Sequence, residues 1–120
     1  MNFCIFLLAV FYSSSQADTK ISGGLEREAV RKVIFSHKSE IQRCFEDTLE
    51  SNPNAQQGRI LYQWKIAPSG RVSALEIKES DLKDSELETC VSKVVLDMRF
   101  PEASNGLPTK IIFPFVFKKN

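Results

Sequence analysis

The stretch RILYQWKIAPSGRVSALEIKE, residues 59–79, decides the fold, because it predicts two strands joined by a tight turn. Its first part alternates apolar and polar side chains, which is the pattern of a half-buried strand. The apolar row of this strand is Ile60, Tyr62, Trp64 and Ile66. The turn APSG, residues 67–70, has proline in second place and glycine in fourth, which favours a type I turn. We therefore expect a β-hairpin over residues 59–79.

The returning strand of the hairpin carries its apolar residues at uneven intervals. Val72 and Leu75 are three residues apart, whereas Leu75 and Ile77 are two apart. A strand that keeps its pairing can absorb an extra residue as a bulge. The spacing therefore predicts a β-bulge near Ala74.

An amphipathic helix is predicted before the hairpin. Apolar residues recur on one helical face from Leu25 to Leu49, and His37 lies on the same stripe. A lone histidine in such a place is more often a boundary residue than a ligand or a base. The segment SNPNAQQG, residues 51–58, ends the helix, because Pro53 restricts the residue before it.

A second helix is predicted after the hairpin. The segment DSELE, residues 84–88, marks its start, with Ser85 and Glu88 at capping-box spacing and Asp84 as an alternative cap. An apolar stripe at helical spacing follows as far as Met98.

The segment TKIIFPFVF, residues 109–117, predicts a third strand with an aromatic row on one face. Proline cannot donate a hydrogen bond to a ladder, so Pro114 places this strand at an edge of the sheet with its nitrogen turned outward. A hairpin followed by a crossover helix brings the third strand beside the first. The sequence thus predicts an α+β fold of topology αββαβ, with a three-stranded antiparallel sheet of order 2-1-3 and two helices on one face.

The N-terminal residues 1–17 predict a cleaved secretory signal peptide. The run from Phe3 to Tyr12 is apolar throughout. It is too short to span a bilayer, which takes about 20 residues, and fits the apolar core of a signal, which takes about 7–15. Ser15 and Ala17 then occupy the −3 and −1 positions of a peptidase site. An uncleaved anchor or a buried N-terminal strand is the alternative.

The chain after Ala17 is predicted to form one small domain, which is located in the periplasm or is secreted. We expect a short polar linker over residues 18–24, the folded domain over residues 25–118, and no integral membrane span in the mature chain. The 16 basic and 15 acidic residues give a net charge of +1. A near-neutral domain without a clustered basic face is not expected to bind nucleic acid.

Two cysteines, Cys44 and Cys90, remain after the signal takes Cys4 with it, one on the apolar face of each predicted helix. In an oxidising compartment an even count is typical of a disulfide. Such a bond would join the two helices where both press on the sheet. Two buried free thiols are the alternative, and with His37 as the only histidine the chain lacks the ligands of a usual zinc site.

No catalytic site is predicted. The segment Ser36-His37-Lys38-Ser39 places hydroxyls near a histidine, but these residues are neighbours on one helix and no carboxylate is evidently placed to orient His37. Glu76 and Glu79 could supply carboxylates, yet strict alternation puts them on different faces of a strand. We therefore expect a protein that is not an enzyme and takes no cofactor or metal.

Several of these motifs together resemble the AgmX/PglI C-terminal domain, a family similar to the C-terminal periplasmic domain of TonB energy transducers. They are GGL before the first helix, CFEDTLESNP, GRILYQWKIAPSGRVSALEIKES, the second cysteine, RFP and FPFVF, and they extend over residues 23–118. The resemblance implies a TonB-C-like domain in the envelope of a Gram-negative bacterium, with Cys44 and Cys90 as a structural pair.

The resemblance also implies a binding mode. TonB domains accept a short peptide strand along the edge of their last β-strand, which is β-augmentation. The equivalent edge here is Lys110, Ile111, Ile112, Phe113, Pro114, Phe115, Val116 and Phe117. The implied function is binding of an envelope protein, such as an outer-membrane transporter or a motility component, within an energy-transduction, transport or motility assembly. The alternative is a small secreted effector or inhibitor stabilised by its disulfide.

Overall fold

The computed structural model describes residues 19–119, so the predicted signal peptide lies outside the described residues. The described part is an α+β domain with one antiparallel sheet of four strands and with three helices. In chain order the elements are β1 (Lys20–Gly23), α1 (Arg27–Ser36), α2 (Lys38–Ser51), β2 (Gln57–Ile66), β3 (Val72–Ser80), α3 (Ser85–Asp97) and β4 (Thr109–Lys118).

The strand β2 pairs antiparallel with β3 on one side and with β4 on the other. The full order of the sheet is β1-β4-β2-β3, so the three predicted strands keep their predicted relative order. The prediction of a three-stranded sheet is wrong, because β1 adds a strand outside β4. As a result, β4 is not an edge strand along Thr109–Ile112.

The strand β1 lies in the segment that the sequence predicted to be a linker. It pairs antiparallel with Thr109–Ile112, and the Gly24 N–H extends the ladder with a 3.1 Å hydrogen bond to the Pro108 carbonyl. Ile21, partly buried against the core, is its only apolar side chain. A four-residue strand with one apolar position carries no periodicity, which is why the linker prediction for residues 18–24 missed it.

The single helix predicted before the hairpin is two helices that meet at His37. The His37 N–H donates to the Ile34 carbonyl at the end of α1, and the Ile41 N–H donates to the His37 carbonyl at the start of α2, both at 3.1 Å. The His37 backbone has a φ of −102° and a ψ of 12°, outside the helical region. The Ser36 hydroxyl donates to the Val33 carbonyl at 2.6 Å, a local bond of the kind that competes with a helix ladder.

The helix α3 begins after Asp84, the alternative of the two predicted caps. The Asp84 carboxylate accepts from the Leu87 N–H at 3.0 Å and from the Asn52 side-chain amide at 3.2 Å. These two hydrogen bonds, the backbone one first, hold the pKa of Asp84 below its usual range. Glu88, the expected capping-box residue, instead accepts a 2.7 Å hydrogen bond from the Ser80 hydroxyl.

The predicted hairpin is present, and its turn rests on the segment that follows α3. The Gly70 N–H donates to the Ala67 carbonyl at 2.8 Å, which closes the turn, and the Gly70 carbonyl accepts from the Phe100 N–H at 3.0 Å. Gly70 has a φ of +98°, and a Cβ at this position would collide with the Phe100 carbonyl oxygen. Glycine is therefore the residue that this close approach allows.

The strand β3 contains the predicted bulge and a second one. The register with β2 shifts opposite Ala74, whose φ is 53°. A second shift, between Leu61 and Tyr62, leaves Lys78 as the extra residue. Within residues 19–119 this strand ends the sheet, and bulges in an end strand discourage pairing with another chain.

The core lies between the helices and one face of the sheet. The inward rows of β2 and β4 are excluded from solvent as predicted, and they are Ile60, Tyr62, Trp64, Ile66, Ile111, Phe113, Phe115 and Phe117. All three helices contribute to the same cluster, through Val30, Ile34, Ile41, Phe45, Leu87, Val91 and Val95. Phe45 of α2 stacks on Phe117 with ring centroids 5.2 Å apart. Full burial of each such large side chain contributes about 1.5–3 kcal/mol.

Candidate functional site

A disulfide joins the two helices that carry the predicted cysteines. Cys44 of α2 and Cys90 of α3 are bonded with an S–S distance of 2.07 Å and a Cα–Cα distance of 5.7 Å. The bond spans a sequence separation of 46 residues. In the chain-entropy model, constraining a loop of this length in the unfolded state contributes about 4 kcal/mol. The predicted pairing is therefore a feature of the structure, and it fixes the helix layer over the sheet.

The two halves of the disulfide differ in exposure. Cys44 is 2% exposed, and the Thr48 hydroxyl donates to its carbonyl at 3.0 Å. Cys90 is half-buried and lines a surface groove of about 490 Å³ together with Lys93 and Val94. The bond is therefore nearer to solvent on the Cys90 side than on the Cys44 side.

Tyr62 connects the sheet to α3. Its hydroxyl donates to the Glu88 carbonyl at 2.9 Å and lies 3.1 Å from Ser92 Oγ. Burial raises the pKa of Tyr62 to about 12; the Ser92 hydrogen bond opposes this shift and the Glu88 carboxylate adds to it. The protonated hydroxyl can donate to the Glu88 carbonyl, so Tyr62 holds α3 on the sheet.

The segment Ser36-His37-Lys38-Ser39 lies across the junction of α1 and α2. Contrary to the sequence-based expectation, a carboxylate does orient the histidine, since Glu40 Oε1 lies 2.8 Å from His37 Nδ1. The Ser36 hydroxyl is not directed at the imidazole, because it donates to the Val33 carbonyl. The structure thus brings a histidine and a carboxylate together, but it does not add Ser36 to them.

Glu76 and Glu79 lie on one face of β3, where strict alternation predicted opposite faces. The bulge at Lys78 is the reason, because it shifts the register by one residue between the two glutamates. Glu76 accepts a hydrogen bond from the Gln63 side chain, and Glu79 pairs with Arg59, both at 3.0 Å. Each carboxylate therefore has a cross-strand partner on β2.

The predicted docking edge, residues 110–117, belongs to β4. Its first part, Lys110–Ile112, pairs with Ser22, Ile21 and Lys20 of β1. These three residues of β4 are not accessible to a partner strand while β1 stays in place. Pro114 lies beyond the β1 pairing and opposite Leu61 of β2.

The sheet face turned away from the helices is called the outer face here, and it is formed by alternate side chains of each strand. Its members are Lys20 and Ser22 of β1, Lys110, Ile112, Pro114 and Val116 of β4, Arg59, Leu61, Gln63 and Lys65 of β2, and Ser73, Glu76 and Glu79 of β3. The buried side chains of the helices join the core on the other face. The outer face therefore combines an apolar centre, buried at Pro114 and half-buried at Leu61, Ile112 and Val116, with charged groups around it.

Lys65 and Lys110 form a like-charged pair on the outer face. The register places them directly opposite each other, with Ser22 beside Lys110 and Ser73 beside Lys65. Both lysines are exposed, and within residues 19–119 neither ammonium group has an ion pair or a hydrogen-bond acceptor. Sequence reasoning missed this pair, because the two lysines are far apart in the chain and only the strand register brings them together.

Among residues 19–119, no group of three or more His, Cys, Asp or Glu side chains could hold a metal ion. In the same residues, no helix has both the length and the apolar character that crossing a membrane demands.

Comparison with known proteins identifies no relative. No family model matches the chain, and neither a curated protein nor a solved structure matches it. The resemblance to the AgmX/PglI and TonB domains therefore stays a prediction.

Proposed function

We propose that the chain is an exported, non-enzymatic protein-binding domain of the bacterial envelope, similar to the AgmX/PglI and TonB C-terminal domains. The observation that carries the proposal is the Cys44–Cys90 disulfide, which joins α2 to α3 at the core. Disulfides persist in oxidising compartments such as the periplasm and are rare in the cytosol. The apolar run from Phe3 to Tyr12 would direct the chain there, with cleavage after Ala17.

The binding site of this proposal is the edge of β4, where a partner strand takes the place of β1. Strand addition gives affinity through main-chain hydrogen bonds. β1 is a weak occupant, since it has four residues and contributes only the partly buried Ile21 to the core. A longer strand would pair on both sides of Pro114, which lacks a donor. The partner would be an envelope protein, such as an outer-membrane transporter or a motility component.

Localisation tests the export part of the proposal. The full chain is expressed in its native host, and periplasm, medium and cytosol are analysed by non-reducing mass spectrometry. We expect the processed chain, beginning at Asp18, in the periplasm with Cys44 and Cys90 oxidised. Recovery from the medium would favour a secreted effector or inhibitor instead, and a cytosolic chain with free thiols would refute export.

A cross-link between β1 and β4 tests the docking edge. Ser22 and Lys110 are direct partners, and the Cα atoms of such antiparallel pairs lie about 4.5–5.5 Å apart, a distance that a disulfide can bridge. The oxidised Ser22→Cys/Lys110→Cys variant should lose the envelope partner that the unmodified domain captures, because β1 can no longer leave. The Ser22→Ala/Lys110→Ala variant removes the same side chains, including the lysine charge, without a cross-link, and should capture more of the partner than the cross-linked variant does. Equal capture by both variants would refute docking at this edge.

A further inference from the structure

We infer that the partner strand is acidic, with carboxylates at the two outer-face positions that Lys20 and Ser22 now occupy and an apolar residue at the position of Ile21. The inference rests on the proposed docking at the β4 edge and adds the chemistry of the partner. It follows from the charges that the outer face presents beside that edge.

The Lys65–Lys110 pair places two positive charges side by side, which favours a negatively charged partner. Like charges directly opposite each other on one face of an antiparallel pair are destabilising. The nearest acid of β3, Glu76, lies in the next row and already accepts a hydrogen bond from Gln63. Natural sequences break such local rules mainly at functional sites. The lysine pair is therefore expected to have a use that offsets its cost.

The strand β1 does not neutralise the lysine pair. Its outer-face residue beside Lys110 is the neutral Ser22. Its other outer-face residue, Lys20, adds a third positive charge diagonal to Lys110, at a distance of about 7–8 Å for such neighbours. β1 therefore satisfies the hydrogen bonds of β4 but adds a positive charge beside the lysine pair. A strand with negative charges at these positions could replace β1.

The geometry of the pairing specifies what would fit better. A carboxylate in the Ser22 position would lie beside Lys110 and one strand away from Lys65. A carboxylate in the Lys20 position would lie diagonal to Lys110 and would remove the third positive charge. The residue between them faces the core side, where Ile21 pairs with the buried Ile111, so it must be apolar. The recognised segment is an extended acidic–apolar–acidic strand, antiparallel to β4. A lipid surface has no strand to pair with the main chain of β4 and fits less well.

Three fluorescent peptides of equal length, built on Glu-Val-Glu, Gln-Val-Gln and Lys-Val-Lys, test the inference by anisotropy with the oxidised, processed chain. The glutamate peptide should bind tightest. Each exposed lysine–carboxylate pair changes an equilibrium by about 1.4-fold to 5-fold, so we expect the glutamine peptide to bind roughly threefold to tenfold more weakly. The lysine peptide should bind weakest of the three. Because these charges are exposed, the differences should shrink at high salt.

Matched double variants connect the preference to the lysine pair. Lys65→Gln/Lys110→Gln should reduce the affinity for the glutamate peptide to that for the glutamine peptide. Lys32→Gln/Lys93→Gln removes the same charge from exposed helix positions and should keep the preference. The Lys65→Gln/Lys110→Gln variant should also melt higher than the unmodified chain at low salt, by about 1–8 °C, because the opposed charges are gone. A merely structural role of these lysines would lower the melting temperature.

The outcomes separate this inference from the docking proposal. Equal affinity for the glutamate and glutamine peptides, no measurable binding of the glutamate peptide, or an unchanged preference in the Lys65→Gln/Lys110→Gln variant would each overturn the acidic partner. Binding to phosphatidylglycerol vesicles that this variant loses, without discrimination among the peptides, would assign the lysines to lipid and overturn it as well. The cross-link experiment at the β4 edge is the separate measurement that decides whether a strand docks there at all.

Discussion

Opening the Cys44–Cys90 disulfide should cause a large loss of stability. Reduction removes the cross-link and leaves both sulfur atoms in place. For a sequence separation of 46 residues, the chain-entropy model gives a loss of about 4 kcal/mol in the free energy of unfolding. In a domain of about 100 residues each kcal/mol lowers the melting temperature by about 4–8 °C. We therefore expect the reduced chain to melt roughly 15–30 °C lower.

Urea unfolding followed by circular dichroism measures this loss. Three samples are compared: the oxidised chain, the same chain kept reduced, and the Cys44→Ala/Cys90→Ala variant. The difference between the first two isolates the cross-link. The difference between the last two samples reports how much the packing of the sulfur atoms contributes. Cys44 is only 2% exposed, so its sulfur atom packs inside the core. The m-value should rise on reduction, because the unfolded chain exposes more surface when its loop is open.

A difference in the free energy of unfolding of less than about 1 kcal/mol between the oxidised and reduced chains, with one shared m-value, would refute an entropic origin of the stabilisation. That result would mean that the packing of α2 against α3 holds the helix layer by itself. If the alanine variant loses the expected free energy of unfolding but the reduced chain does not, the stabilisation comes from the packing of the buried sulfur atoms and not from the cross-link.

Three further predictions concern single residues. Gly70→Ala should lower the free energy of unfolding by about 1–3 kcal/mol, because φ is +98° and the new Cβ meets the Phe100 carbonyl; an unchanged urea midpoint would contradict the clash. Asp84→Ala should cost about 1 kcal/mol in urea unfolding, and this cost should shrink as the pH falls through the lowered pKa of Asp84, because protonation removes the charge that the Leu87 N–H stabilises; a cost independent of pH would count against it. Tyr62 ionises near pH 10 when unfolded and near 12 when folded, so the free energy of unfolding should fall as the pH rises through this window and stay constant in this respect below it. Tyr62→Phe should lack that part of the fall, and identical pH profiles of the two proteins would refute the assignment.

Short-range signals in the sequence predicted most of the core. The alternation around Trp64 reports which face of β2 is buried, because side chains of a strand point to opposite faces in turn. The uneven spacing on β3 reported the bulge at Ala74 for the same reason. The disulfide could be predicted because Cys44 and Cys90 lie on apolar helix faces of a chain expected to be exported. Each of these signals is contained in a few neighbouring residues or, for the disulfide, in the even number of cysteines of the mature chain.

Features that depend on long-range pairing were not predictable in this way. β1 is held by hydrogen bonds to a strand at the other end of the chain, and its side chains carry no pattern of their own. The break at His37 left no mark on the apolar stripe, because both helices press on the same core. The Lys65–Lys110 pair exists only through the register of β2 with β4. The docking edge was placed on β4 without β1 for the same reason.

Trp64 is an intrinsic fluorescence probe of the core. It is the only tryptophan of the chain and is 0% exposed, and within residues 19–119 its indole Nε1 has no hydrogen-bond acceptor. An indole in so dry a setting emits at the blue end of its range and shifts to the red when water reaches it. A docked strand would again place an apolar residue in the Ile21 position, one strand beyond Ile111, which is the partner of Trp64. It would therefore keep water away from Trp64 and leave the emission colour unchanged. Melting of the interior would alter it, so one spectrum distinguishes docking from collapse of the native state.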